Sequence, residues 1–169
     1  MTDLSQIEDL RRRVQADPAS IAFAQLAEEC RRAGHLQEAI DVCRTGLARH
    51  PDYLSARLTL GRALQQLGQG DEALRELEHV HRLAPNNLAS VRGLAELHRR
   101  RGDSAEALML YRVALRLAPN DPDLDRTVRE LSHNAAEPLG GVGPAASPMV
   151  SVLEQWLSAI HVTRAQRRA

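Results

Sequence analysis

Three stretches, "GHLQEAIDVCRTGLARHPD" (residues 34–52), "GQGDEALRELEHVHRLAPN" (68–86) and "GDSAEALMLYRVALRLAPN" (102–120), are variants of one unit. Gly34, Gly68 and Gly102 stand 34 residues apart, as do Ala39, Ala73 and Ala107, and likewise Pro51, Pro85 and Pro119. A fixed period of this length marks a stacked-repeat architecture, in which each unit buries its apolar face only against its neighbours. Each glycine is expected to end one helix and each proline to close the next, because neither residue continues a helix comfortably. Asp103 followed by Glu106 has the form of a capping box that opens the third of these helices.

Outward from these stretches, the apolar spacing gives two helices per unit. Phe23, Leu26, Ala27 and Cys30 share one face of a first helix, as do Leu60, Gly61 and Leu64, and then Val91, Leu94 and Ala95. The second helices carry the stripes Ile40, Cys43 and Leu47, then Leu74, Leu77 and Val80, then Leu108, Tyr111 and Leu115. Ala39, Ala73 and Ala107 fall where two helices must cross closely, and a larger side chain there would cost roughly 1–3 kcal/mol by overpacking. The expected fold is all-α: a solenoid of helical hairpins, followed by a flexible linker and a C-terminal amphipathic helix.

The units resemble the tetratricopeptide repeat family, whose pattern runs W-x2-L-G-x2-Y, then A-x3-F, then P. Its middle portion is represented by Leu26-Ala27-x2-Cys30, Leu60-Gly61-x2-Leu64 and Leu94-Ala95-x2-His98. The following portion is represented by Ala39-x3-Cys43, Ala73-x3-Leu77 and Ala107-x3-Tyr111. The family's tryptophan slot holds Phe23, Arg57 and Val91, and most aromatic slots have become aliphatic. The resemblance covers residues 20–121 and implies a right-handed solenoid of three repeats, spanning 20–53, 54–87 and 88–121.

Terminal units of such an array expose an unpaired apolar face and need caps. Residues 1–19, with Leu4, Ile7, Leu10 and Val14 on one stripe, are the expected N-terminal capping helix. Residues 122–134, with Leu124, Val128 and Leu131, are the expected C-terminal one. Residues 135–147, rich in Gly, Pro and Ala, are expected to be a flexible linker. In 148–169, Met149, Leu153, Trp156, Leu157 and Ile160 form an apolar stripe, so this segment is expected to be an amphipathic docking helix. Trp156 is the only tryptophan of the chain.

Composition and spacing exclude much chemistry. Arginine supplies all 22 basic side chains, so no lysine is present for Schiff-base work or as a phosphate-binding amine. The 22 acidic residues bring the formal net charge to zero, and the runs "RRR" at 11–13 and 99–101 have acidic residues nearby, so nucleic acid is not an expected partner. His79 and His81 are two apart on a helix and point to opposite sides; Cys30 and His98 fall in repeats that are not neighbours. "GGVG" at 140–143 has neither a preceding strand nor a following lysine. No catalytic residue, metal ligand or cofactor is therefore expected, and the chain is expected not to be an enzyme. No apolar run is long enough to span a bilayer, and Arg164, Arg167 and Arg168 gather at the end of the last segment rather than along one polar face. A membrane is therefore not an expected partner, and a membrane-peripheral or nucleic-acid-binding module is the least expected reading. The polar N-terminus and reduced, buried Cys30 and Cys43 are consistent with a cytoplasmic protein.

The resemblance implies that the first helix of each repeat lines a concave face where peptides or helices bind. That places Ala24, Glu28 and Arg31, then Leu58, Arg62 and Gln65, then Arg92, Glu96 and Arg99 along a groove. Glu28, Arg62 and Glu96 form an acid–base–acid rung with an arginine-rich edge beside it, suited to a partner carrying carboxylates next to apolar side chains. Some family members grip a terminal carboxylate with Lys and Asn; this chain has no Lys, and its concave positions carry no Asn. The expected function is that of a non-enzymatic adaptor or scaffold binding a protein partner through this groove, the Trp156 helix, or both. The alternative is a self-associating or autoinhibited protein whose C-terminal helix docks in its own groove or, as a homodimer, in that of a second copy.

Overall fold

The protein is described here by a computed structural model for residues 3–136. Among these residues there are eight α-helices and no strand: α1 (Asp3–Ala16), α2 (Ala22–Arg32), α3 (Leu36–Leu47), α4 (Leu54–Gln66), α5 (Gly70–Leu83), α6 (Leu88–Arg101), α7 (Ser104–Leu117) and α8 (Pro122–Ala136). The period of the sequence reappears in the helix starts. Leu36, Gly70 and Ser104 open α3, α5 and α7 at intervals of 34 residues, and Leu54, Leu88 and Pro122 open α4, α6 and α8 at the same interval. The last helix thus starts in the register of a first helix.

The repeating glycines set the turn inside each hairpin. Gly34, Gly68 and Gly102 have φ of 83°, 85° and 87°, the left-handed region that a side chain opposes. Each is followed by the same pair of bonds. His35, Gln69 and Asp103 donate their backbone N–H back to Cys30, Leu64 and His98 at 2.8, 2.9 and 3.0 Å, and the glycines donate to Arg31, Gln65 and Arg99. The terminal carbonyls of α2, α4 and α6 are satisfied in this way. No atom lies within 4 Å of where a Cβ would stand on Gly102, so backbone strain alone opposes a side chain there. Gly102→Ala is therefore expected to cost about 1–2 kcal/mol in urea unfolding followed by circular dichroism. Gly102→Asn should recover part of it, since Asn tolerates this conformation; equal losses would place the cost elsewhere.

The expected capping box at Asp103 does not form. The Asp103 side chain makes no cap bond to α7, and its Oδ2 lies 3.2 Å from His98 Nδ1 instead. The turn contributes to this: the Asp103 N–H that the box would give to Glu106 already goes to His98 O at 3.0 Å. Caps occur one turn type later. Asn87 Oδ1 accepts from Ser90 N at 3.0 Å to open α6, and Asp121 Oδ1 accepts from Asp123 N and Leu124 N to open α8.

Packing follows the apolar stripes. Phe23, Leu26, Ala27 and Cys30 of α2 are buried, as are Leu60, Gly61 and Leu64 of α4 and Val91, Leu94 and Ala95 of α6. In α7 the buried set is Ala107, Tyr111 and Ala114, while Leu108 and Leu115 are only half-buried. The buried side chains form two clusters, one running from Ile7 on α1 to Leu97 on α6 and one joining Val91 and Ala95 to α7 and Leu124 of α8.

Leu77 is the keystone of the larger cluster. A Cβ on Gly61 would stand 2.8 Å from its side chain, and a Cβ on Gly93 would stand 2.7 Å from it. Two glycines on α4 and α6 thus make the slot that Leu77 of α5 fills. Arg57, in the slot that the family fills with tryptophan, also packs usefully: Nε donates to Pro51 O at 2.7 Å and Nη1 to Glu76 at 2.9 Å. In the equivalent slot of the first repeat, Phe23 stacks on His50 with ring centres 5.9 Å apart.

Helix α2 packs against α4, and α4 against α6, whereas no comparable approach links α3 to α5 or α5 to α7. Successive repeats are closer on the first-helix side, which makes α2, α4 and α6 the lining of the concave face.

Candidate binding groove

The rows of this face come from residues spaced three and four apart on α2, α4 and α6, which share one side of each helix. Ala24 and Arg31 are buried, Glu28, Leu58, Arg62, Gln65 and Glu96 are half-buried, and Arg92 and Arg99 are exposed.

Repeats one and three carry the same clasp. Arg31 Nε and Nη2 donate to the two carboxylate oxygens of Glu28 at 3.0 and 2.8 Å, and Arg99 Nε and Nη2 donate to Glu96 at 2.8 and 2.9 Å. Such bidentate pairs are the stronger kind of charged hydrogen bond. Each glutamate has further donors. Thr59 Oγ1 reaches Glu28 at 3.1 Å and Arg32 Nε reaches it at 3.1 Å; Arg100 Nε and the Tyr111 hydroxyl reach Glu96 at 2.8 and 3.0 Å. The arginines beside them hold both carboxyls down to a pKa of about 2, against the opposing effect of burial. Arg31, with 8% of its side chain exposed, also donates to Gln66 Oε1 on α4 at 3.2 Å. It ties two repeats together and presents little of its guanidinium to the groove.

The middle repeat has the opposite arrangement. Arg62 stands where the other repeats have glutamate, and Gln65 stands where they have arginine. Arg62 reaches only Glu28, at 3.8 Å, and Glu96 is engaged by its own arginines and Tyr111. The expected acid–base–acid rung is therefore continuous on one side only. Burial, and then the neighbouring Arg31, lower the pKa of Arg62. A cleft of about 510 Å³ opens beside it, lined by Arg62, Gln65, Leu88, Ala89, Arg92 and Gly93. A second concavity of about 550 Å³ lies along α2 beside Ala24 and Glu28. Arg92 Nη1 is paired with Asp121 at 2.8 Å.

Thr59 and Gln66 take part in the groove's bonding yet do not stand out in the sequence, because each sits next to an apolar position that the helical period explains. Tyr111 is part of the α7 apolar stripe, and the period does not reveal that its hydroxyl reaches Glu96. The stripe of Met149, Leu153, Trp156, Leu157 and Ile160 lies outside the described residues.

The described residues contain no group of three or more His, Cys, Asp or Glu placed to hold a metal ion, and no helix long and apolar enough to cross a membrane. Burial pushes the Cys30 and Cys43 thiols up to about 11 and about 12, so neither is a thiolate near neutral pH.

The geometry defines a helical-repeat protein with a polar concave groove. Sequence profiles described as tetratricopeptide repeat match residues 31–97 and 90–125, which together span more than half of the chain. The chain belongs to the tetratricopeptide repeat family. No curated protein sequence matches it. Among solved structures it is similar to a thermophilic TPR protein of Thermus thermophilus, at 26% identity and a TM-score of 0.63, covering 75% of this chain and 71% of that one. It is also similar to the first TPR of Spaghetti (RPAP3) bound to the HSP90 peptide SRMEEVD, at 18% identity and a TM-score of 0.66, covering 71% of this chain and 95% of that one. A third is MamA from Desulfovibrio magneticus, at 16% identity and a TM-score of 0.73, covering 98% and 88%. The last two likenesses concern the fold.

Proposed function

We propose that this protein is a non-enzymatic adaptor that holds a peptide or helix of a protein partner in the groove of α2, α4 and α6. The observation that carries this is the open, polar surface of the first helices, whose charged side chains are pre-oriented by Glu28–Arg31 and Glu96–Arg99 clasps. The peptide-bound Spaghetti structure supports it, as a protein of the same fold whose TPR holds a peptide. Residues 148–169, with Trp156 at the centre of their apolar stripe, are a proposed second contact for the partner.

The groove is tested by selecting binders from a random, end-capped dodecapeptide library against the full chain and mapping them by amide chemical shifts. Shifts concentrated on α2, α4 and α6 are expected. A footprint confined to the second helices α3, α5 and α7 would overturn the assignment.

A further inference from the structure

The middle repeat breaks the groove's own charge pattern. Every other arginine of the nine groove positions has an acidic partner within 3 Å: Arg31 has Glu28, Arg99 has Glu96 and Arg92 has Asp121. Arg62 has only Glu28 at 3.8 Å, and that carboxylate already accepts from Arg31, Arg32 and Thr59. A guanidinium offers five N–H donors in a fixed fork, and a partly desolvated one without close acceptors favours an incoming anion. Beside it, Leu88, Ala89 and Gly93 give the cleft an apolar side next to the Gln65 amide.

We infer that Arg62, with Gln65 beside it, is a specificity site that takes the carboxylate side chain of an internal Glu or Asp in the bound peptide, while Leu88 and Ala89 receive the apolar residue next to it. The position of Arg62 favours an internal residue over a chain end. It lies in the middle repeat, with groove continuing toward Ala24 and Glu28 on one side and toward Arg92 on the other, so a chain crossing it has surface in both directions. This inference rests on the groove reading above and deepens it by naming the chemistry that the groove selects.

The test uses the full chain and two end-capped decapeptides, one alternating Glu and Leu and the other alternating Gln and Leu, which carry no terminal carboxylate. The Glu peptide is expected to bind about tenfold more tightly than the Gln peptide, the scale of one charge-assisted hydrogen bond. Arg62→Gln should bring that ratio close to one, whereas Arg116→Gln, on the exposed side of α7, should leave it unchanged. Both variants are expected to keep the wild-type circular dichroism spectrum. Equal affinity for the two peptides, or a preference that survives Arg62→Gln, would overturn the inference. So would full competition by free acetate at millimolar concentration, because the site would then take a small anion. The two readings fail separately. Library peptides that map to α2, α4 and α6 but lack acidic residues sink the carboxylate site and leave the groove standing; peptides that map elsewhere sink the groove.

Discussion

Leu77→Ala is expected to lower the unfolding free energy by about 2–5 kcal/mol. Leu77 is fully buried and fills the slot bounded by Gly61 and Gly93, so truncation removes apolar contact and leaves a void between three helices. The same geometry makes the reverse change costly. A methyl on Gly61 would lie 2.8 Å from the Leu77 side chain, and one on Gly93 would lie 2.7 Å from it, so either Gly→Ala should cost about 1–3 kcal/mol by overpacking. Alanine is the better helix former by about 0.8–1.0 kcal/mol, which opposes that loss. In the Leu77→Ala background the collision is gone and only the helix preference remains. Gly61→Ala should then change sign and become stabilising. Urea unfolding of the four proteins of this double-mutant cycle measures it, and additive effects would show that Leu77 and Gly61 do not share the slot.

The second large effect belongs to the Glu28–Arg31 clasp. Glu28→Gln keeps the shape but leaves the buried Arg31 guanidinium with neutral partners, an expected cost of about 2 kcal/mol at pH 7. The pH dependence follows from the lowered pKa. Glu28 ordinarily titrates near 4.5 and is held at about 2 in the fold, so its stabilisation is complete above about 4.5 and is lost as the pH falls through 2. Glu96 behaves in the same way. With about a fifth of each side chain still exposed (21% and 22%), solvent screening leaves about 1 kcal/mol of pH-dependent stability for each. Stability measured from pH 6 down to 2 should fall in the wild-type protein, fall less in Glu28→Gln, and be flattest in the Glu28→Gln, Glu96→Gln double variant. Identical slopes in all three would mean that the clasps are not formed in solution.

Much of the fold was legible in the sequence because it repeats. Three copies of Gly, Ala and Pro at one period give the register, and the physical reasons are local: only glycine takes φ near 85° easily, and only a small residue lets two helices cross. What the period could not carry is how each copy departs from the others. Asp103 has a capping residue's chemistry, but the preceding turn takes its own N–H, the donor that the reciprocal half of the box requires. Asn87 and Asp121 do cap, in a slot where the first full copy has Tyr53, so no repeat pattern singles them out. The groove positions follow from helical spacing, whereas their pairing does not. Whether Arg62 bonds to Glu28 or Glu96 depends on how far Arg31, Arg99 and Tyr111 reach, which is a question of rotamers in three dimensions.

The division of the apolar side chains into two clusters has a consequence for cooperativity. Helix α6 belongs to both, giving Leu94 and Leu97 to one and Val91 and Ala95 to the other. Leu110 of α7 also packs against both, so α6 and Leu110 together couple any opening of α7 and α8 to α1–α5. A ligand bridging α4 and α6 clamps that shared helix from outside, and would thereby extend hydrogen-exchange protection from the middle of the array toward its C-terminal end.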